Sequence, residues 1–159
     1  MSRPTPGMNR RRMLACGLAF AAGTDVARAG LDSIDFVPLH NILRVPLASV
    51  SDLWTPVAFK AWFSKSNGLD AVAPGVAFRS PSGVVAFCTY CPHELCIVAL
   101  NDAARELQCP CHGGRFDPQL GGAWLGGPPP RSAYRFQYHF TGDHLEITGV
   151  EAELRRRLQ

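Results

Sequence analysis

The chain has 159 residues, 47% of them hydrophobic, which is the length of one domain and enough apolar material for a buried core. Its net charge of +3 originates at the start, because residues 1–29 hold five arginines and one acidic residue. The remaining residues include 11 basic and 12 acidic ones, a balance of −1 that excludes a basic surface for nucleic acid.

The first 29 residues have the organisation of an export signal. Three arginines at 10–12 precede an apolar run at 13–23, and Ala-Arg-Ala at 27–29 is typical of a cleavage site. The arginines are typical of a twin-arginine leader, which directs export from the bacterial cytoplasm. The segment from Met13 to Thr24 has only twelve residues before Asp25, and a membrane-spanning helix needs about 20. We predict cleavage after Ala29 and a soluble exported domain at 30–159, with an uncleaved leader as membrane anchor as the alternative.

Short runs rich in Val and Phe beyond the leader predict β-strands, because Gly, Pro, Ser and Asn separate them. The predicted strands are 45–47, 56–63, 75–79, 84–89, 134–140 and 144–148. Turns are predicted at 80–83 and 141–143, and a short helix at 151–158. The pattern predicts a β-rich base interrupted by a region of different composition, at about 86–131.

That region contains the most specific pattern of the chain. Cys91-Pro-His93 is followed, after 15 residues, by Cys109-Pro-Cys-His112. Two thiolates and two imidazoles suit either zinc or an iron–sulfur cluster. Zinc modules usually pair cysteine with cysteine and histidine with histidine, whereas each half here offers one of each. Cys88 forms a C-x2-C pair with Cys91, so the residues alone leave a structural zinc site open.

The surrounding sequence resembles the Rieske family of 2Fe–2S proteins over about residues 45–150. The two halves read CPHELC and CPCHGGRFD, and GGPPPR follows where Rieske proteins carry a proline loop over the cluster. The resemblance implies one Rieske 2Fe–2S cluster as cofactor. It places Cys91 and Cys109 on the inner iron, and His93 and His112 on the outer iron near the surface.

The resemblance also implies an all-β Rieske fold, an antiparallel β-sandwich base with an inserted cluster-binding subdomain at about 86–131. The cysteines matching Cys96 and Cys111 form a disulfide in quinol-oxidising members, and closing a loop of about 15 residues contributes roughly 3 kcal/mol. Ferredoxins and oxygenases of the family generally lack that pair, so it favours the respiratory branch. Pro128 and Pro129 would cover the cluster. We expect little else to pack in this region, which is rich in proline and glycine.

Three positions depart from the pattern of high-potential members. Those members usually have serine where this chain has Gly114 and tyrosine where it has Phe116, and the hydroxyls donate hydrogen bonds to cluster or ligand sulfur. Without them we predict a potential in the middle or lower part of the Rieske span, roughly −150 to +300 mV. Glu94 follows the first histidine, where quinol-oxidising members typically have leucine, and would change a quinone-docking surface.

The resemblance implies one-electron transfer by the iron–sulfur subunit of a quinol:cytochrome c oxidoreductase. Such a subunit is not a complete enzyme, and no residue is assigned a catalytic role. The implied donor is quinol at a cytochrome b-like subunit, and the implied acceptor is a c-type cytochrome. The alternatives are the small subunit of a periplasmic molybdenum oxidase, reduced by its large subunit, and a free-standing Rieske carrier.

The cofactor and the cysteines bear on the compartment. A disulfide needs an oxidising compartment, while an iron–sulfur cluster has to be assembled before export. An export pathway that transports proteins already folded satisfies both requirements. We therefore expect the domain on the periplasmic side of the bacterial cytoplasmic membrane, with membrane association through a complex or through the leader.

Overall fold

The computed structural model of the chain describes residues 34–159, so the predicted signal segment and its cleavage site lie outside the described residues. The strands are β1 (Phe36–Pro46), β2 (Val57–Ser64), β3 (Asp70–Ser80), β4 (Gly83–Cys88), β5 (Ala99–Asn101), β6 (Glu106–Gln108), β7 (Arg115–Asp117), β8 (Ala123–Gly126), β9 (Phe136–Thr141) and β10 (His144–Glu151). One α-helix, α1 (Ala152–Arg157), follows β10. Within this part of the chain, no helix has the length and apolar character needed to span a bilayer.

Two three-stranded antiparallel sheets form the base, in the orders β1-β10-β9 and β2-β3-β4. The predicted turns connect β3 to β4 and β9 to β10. In the second turn Gly142 has a φ of 58°, a left-handed conformation that glycine adopts without steric cost. Because the named strands of these sheets all pair antiparallel, the predicted all-β fold is confirmed.

Strand β1 is longer than the sequence predicted. It spans Phe36–Pro46, whereas the pattern predicted only 45–47. Most of the first ten residues of this strand are exposed or half-buried, and they include Pro38, His40 and Asn41, so they lack the apolar alternation that identifies a strand. Pairing with β10 therefore defines this strand more than its own side chains do.

The apolar faces of the two base sheets meet in one core. Phe63 of β2 and Ile147 of β10 are fully buried there, together with Tyr134. Each large apolar side chain buried in this way contributes about 1.5–3 kcal/mol. Leu154 of α1 is also fully buried in this core, which holds the helix against the base. The base thereby fixes the end of β4, from which the chain enters the region of the motif.

A four-stranded antiparallel sheet, β5-β6-β7-β8, lies in the chain between the base strands. Its Leu107 and Phe116 pack with Cys91 and Cys109 in a second buried group of side chains, which also includes Phe78 of β3. We expected few side chains of this region to pack apart from the prolines over the cluster, and that expectation was wrong. Strands of three or four residues are too short to show a periodic pattern in the sequence. The subdomain boundaries at 86–131, like the domain limits at 30–159, stay predictions.

Candidate metal centre

The first loop of the motif follows β4 and turns tightly around Cys91. The N–H of Cys91 donates to the carbonyl of Cys96 at 2.8 Å, and the N–H of Leu95 donates to the carbonyl of Cys91 at 2.9 Å. The turn requires a left-handed residue, and Leu95 supplies it at a φ of 57°. An isolated pairing of Tyr90 with Ile97 closes the base of the loop. Cys91 is buried as a result, at 1% exposure.

The second loop follows β6 and repeats the same hydrogen bonds. The N–H of Cys109 donates to the carbonyl of Gly114 at 2.7 Å, and the N–H of Gly113 donates to the carbonyl of Cys109 at 3.0 Å. Here the left-handed residue is Gly113, at a φ of 70°. Both cysteines therefore begin turns of one type, and Cys109 is buried at 3% exposure. The equivalence of the two loops was not predicted from the sequence, because they share only the Cys-Pro pair with which each begins.

The two loops are joined to each other and bring the motif histidines together. Cys96 and Cys111 form a disulfide with their Cα atoms 6.5 Å apart, so the predicted disulfide is confirmed. The rings of His93 and His112 meet edge to face, with their centroids 4.8 Å apart. His112 is exposed and His93 is half-buried, whereas both motif cysteines without a disulfide are buried. The site thus has a buried thiol side and an imidazole side towards solvent.

The charges around Cys91 suit a bound cation. Burial raises the pKa of the Cys91 thiol, and the adjacent Cys109 raises it further because two neighbouring thiolates repel each other. The backbone N–H groups of His93 and Glu94 act in the opposite direction by donating to the sulfur of Cys91. A metal that binds both sulfurs displaces their protons and removes the repulsion. Two close thiols with N–H donors therefore form a ligand pair that is completed by a cation.

A further observation indicates that the site fits a metal group. Nδ1 of His93 is buried and has no hydrogen-bond partner among the described residues. A buried polar atom without a partner is costly, and a metal bond would satisfy it. Cys88 differs from the motif cysteines, because burial raises the pKa of its thiol to about 12. It packs in the base core with apolar side chains.

Residues 54–139 match the family model described as "Rieske [2Fe-2S] domain". The chain belongs to the Rieske family. A putative respiratory nitrate reductase Rieske subunit of Haloferax mediterranei is 45% identical over 51 residues, which are 32% of this chain and 23% of that protein. The cytochrome b6-f iron–sulfur subunit of Synechococcus sp. (strain CC9605) is 28% identical over 152 residues, covering 82% of this chain and 79% of that protein.

The chain is also similar to solved Rieske structures. One is the soluble domain of the Rieske protein II from Sulfolobus acidocaldarius, at a TM-score of 0.48 and 14% identity, over 77% of this chain and 81% of that one. As a Rieske protein, the chain is an iron–sulfur electron-transfer protein that binds one 2Fe–2S cluster. The predicted family and cofactor are confirmed. The four predicted ligands lie in the two loops described above, and their assignment belongs to the proposal below.

The proline loop of this Rieske protein packs directly on the second cluster loop. A Cβ atom on Gly114 would lie 2.5 Å from Cγ of Pro129, and one on Gly127 would lie 2.6 Å from the carbonyl oxygen of Gly113. Pro129 is buried, while Pro128 is exposed. The ring of Pro129 therefore leaves no space for a side chain at position 114, which explains the glycine there. The comparison with family members that have serine at this position did not reveal that reason.

This close approach predicts a non-additive pair of substitutions. Gly114→Ala is expected to lower the free energy of unfolding by about 1–3 kcal/mol, the usual cost of overpacking, because its Cβ meets the ring of Pro129. Pro129→Ala removes that ring, so the double variant is expected to lose less than the two single variants added together. Denaturant unfolding of the four proteins measures the coupling. Additive losses would contradict the contact.

Two residues near the site were not anticipated from the sequence. Trp124 is 50% exposed on the edge strand β8, and its indole N–H donates to the carbonyl of Gly127 at 3.3 Å. An aromatic side chain at the edge of a sheet can lie along a neighbouring loop in this way. Arg157 of α1 donates a hydrogen bond to the carbonyl of His93. No local pattern could predict a contact between residues 64 positions apart.

Proposed function

We propose that Cys91 and Cys109 bind the inner iron of the cluster, that His93 and His112 bind its outer iron, and that the protein transfers single electrons from a quinol-oxidising partner to a c-type cytochrome. The observation that carries this proposal is the difference in burial among the four side chains. The thiols of Cys91 and Cys109 are buried, whereas the two histidines, whose rings are in contact, lie nearer the surface. Bound between them, the cluster supplies a site that accepts and releases one electron.

The residues of the site have separate roles in this proposal. Burial of Cys91 and Cys109 keeps water from the sulfurs, and N–H donors from His93 and Glu94 stabilise negative charge on Cys91. Nδ1 of His93 is the buried atom without a partner, so we assign it to iron, which leaves Nε2 for a hydrogen bond with a donor. His112 is exposed, and one of its ring nitrogens would accept the proton that a quinol releases with its electron.

The choice of partner is supported by the full-length relatives and by the disulfide. The Synechococcus relative is named as an iron–sulfur subunit of the cytochrome b6-f complex, and its match includes most of both chains. The disulfide between Cys96 and Cys111 is the feature of the respiratory branch. A disulfide also suits an oxidising compartment, which supports a location on the exported side of the cytoplasmic membrane.

The second candidate is a subunit of a reductase or oxidase with a separate large catalytic subunit. It is favoured by the relative from Haloferax mediterranei, which is named as a nitrate reductase Rieske subunit and has the higher local identity. That match covers 51 residues and 23% of the relative, so it carries less weight for the assembly than the longer match to the Synechococcus subunit. The molybdenum-oxidase alternative belongs to this class, and a free-standing carrier would need neither partner.

Rapid mixing distinguishes these candidates. The reduced protein is expected to reduce a c-type cytochrome, and the oxidised protein is expected to be reduced by quinol only when a cytochrome b subunit is present. Both reactions can be followed by the visible absorbance of the cluster and of the haem. Reduction by a molybdenum-containing subunit with its substrate, and not by quinol with cytochrome b, would favour the second candidate.

Phe116→Tyr is expected to raise the midpoint potential. Phe116 is fully buried and packs in the same group of side chains as Cys91 and Cys109, so we expect an added hydroxyl to donate to a ligand sulfur. A hydrogen bond to sulfur stabilises the reduced state. We expect the equilibrium constant for reduction to be about tenfold larger. For one electron this corresponds to a midpoint potential that is higher by about 59 mV. Redox titration measures it.

Phe140→Tyr is the control, because Phe140 lies exposed on β9 and receives the same hydroxyl in solvent. Its potential should equal that of the parent protein. Equal potentials for Phe116→Tyr and the parent would show that the missing tyrosine hydroxyl does not set the potential. Gly114→Ser is a poor companion variant, because its Cβ would displace Pro129.

A further inference from the structure

The C-terminal helix reaches the first cluster loop through one side chain. The guanidinium of Arg157 donates to the backbone carbonyl of His93. The helix itself is held by Leu154, which is fully buried in the base core. The contact therefore links a firmly packed element to the backbone of a proposed iron ligand. This hydrogen bond is separate from the disulfide that joins the two cluster loops and from the packing of the proline loop on the second of them.

Arg157 differs from two nearby arginines in its charge pairing. Arg156, in the same helical turn, forms an ion pair with Glu153, and Arg131 forms one with Glu151. Among residues 34–159, no carboxylate lies within ion-pair distance of Arg157. The guanidinium of Arg157 therefore places a positive charge beside the first cluster loop.

We propose that Arg157 is a positioning residue for His93 and that its charge raises the midpoint potential of the cluster. The inference rests on the proposed function, because it assumes that His93 binds the outer iron. Reduction adds one electron, supplied by the donor partner, and hence one negative charge near His93. A fixed positive charge close by stabilises that state more than the oxidised one. Because Arg157 is exposed, salt should weaken the effect.

The effect of the charge at 157 is tested by Arg157→Gln, with Arg156→Gln as the matched control. Both variants lose one positive charge from the last turn of the same helix, but Arg156 donates to Glu153 and, within residues 34–159, makes no hydrogen bond to a cluster loop. We expect Arg157→Gln to lower the equilibrium constant for reduction about threefold to tenfold, which is about 28–59 mV for one electron. Arg156→Gln should change it less than about twofold.

Arg157→Lys separates charge from geometry. Lysine keeps the positive charge but lacks the forked donors of the guanidinium. The midpoint potential of Arg157→Lys should therefore lie closer to that of the parent than the potential of Arg157→Gln does. The paramagnetic resonance spectrum of the reduced cluster should change in Arg157→Gln, because the backbone of His93 loses a donor. Raising the salt concentration should narrow the gap in potential between Arg157→Gln and the parent.

The outcomes separate failure of the inference from failure of the proposed function. A parent protein without iron and without a reduced-cluster signal would overturn the proposed function before any variant is compared. With the cluster present, equal shifts in Arg157→Gln and Arg156→Gln, or no shift in either, would overturn the inference. A shift in Arg157→Lys as large as that in Arg157→Gln would overturn the role of the charge.

Discussion

Cys91→Ser and Cys109→Ser proteins are each expected to lose the cluster, with iron content falling more than about tenfold. Loss of a hydrogen-bonding group behind a metal ligand already costs about 10–100-fold in affinity, and these substitutions remove the ligand sulfur itself. Both thiols are buried, so water cannot readily replace the missing sulfur. Iron and sulfide analysis of the purified variants, together with their visible absorbance, measures the loss.

Cys88→Ala is the matched control for these variants. Cys88 is buried at 2% exposure, three residues before Cys91, but it packs in the base core away from the ligand pair. Its thiol stays protonated, since burial raises its pKa to about 12, so it is poorly suited to bind a metal. Cys88→Ala should keep the parent iron content. Loss of metal in Cys88→Ala with retention in Cys109→Ser would point instead to the C-x2-C zinc alternative.

The second large effect is expected when the disulfide is removed. The double variant Cys96→Ala with Cys111→Ala opens a loop whose cysteines are 15 residues apart, which corresponds to about 3 kcal/mol of unfolding free energy. For a domain of this size that is a fall in Tm of roughly 10 °C. The two cluster loops also lose their covalent connection, so the cluster should be released faster on warming. Calorimetry and the absorbance of the cluster follow the two events.

Cys88→Ala again serves as the control, because it removes a cysteine without opening a loop. Treatment of the parent with a reductant should reproduce the double variant, provided that the disulfide is reached by solvent; Cys111 is exposed. An unchanged Tm and an unchanged rate of cluster release in the double variant would show that packing of the loops, and not the disulfide, holds the site together.

The sequence was most informative where one residue type has one chemical use. The spacing of cysteine and histidine carried the resemblance to the family, and that resemblance implied the cofactor and the disulfide between the two further cysteines. The strands of the base followed from runs of Val and Phe. The short strands β5 to β8 could not be predicted, because three or four residues hold no period.

Other features depend on contacts between distant residues, which a local pattern does not contain. Gly114 was interpreted as a missing hydroxyl, but the structure places Pro129 where its side chain would be. The first half of β1 is defined by its pairing with β10. The contact of Arg157 with His93 depends on where the base holds the last helix. Each of these became visible only when the tertiary structure was known.

The paramagnetic resonance spectrum of the dithionite-reduced protein, combined with analysis of iron, sulfide and zinc, tests whether Cys91, His93, Cys109 and His112 hold one 2Fe–2S cluster. We expect two irons and two sulfides per chain and a reduced-cluster signal with the low average g value of mixed histidine and cysteine ligation. A silent spectrum from a protein that contains one zinc per chain would contradict it.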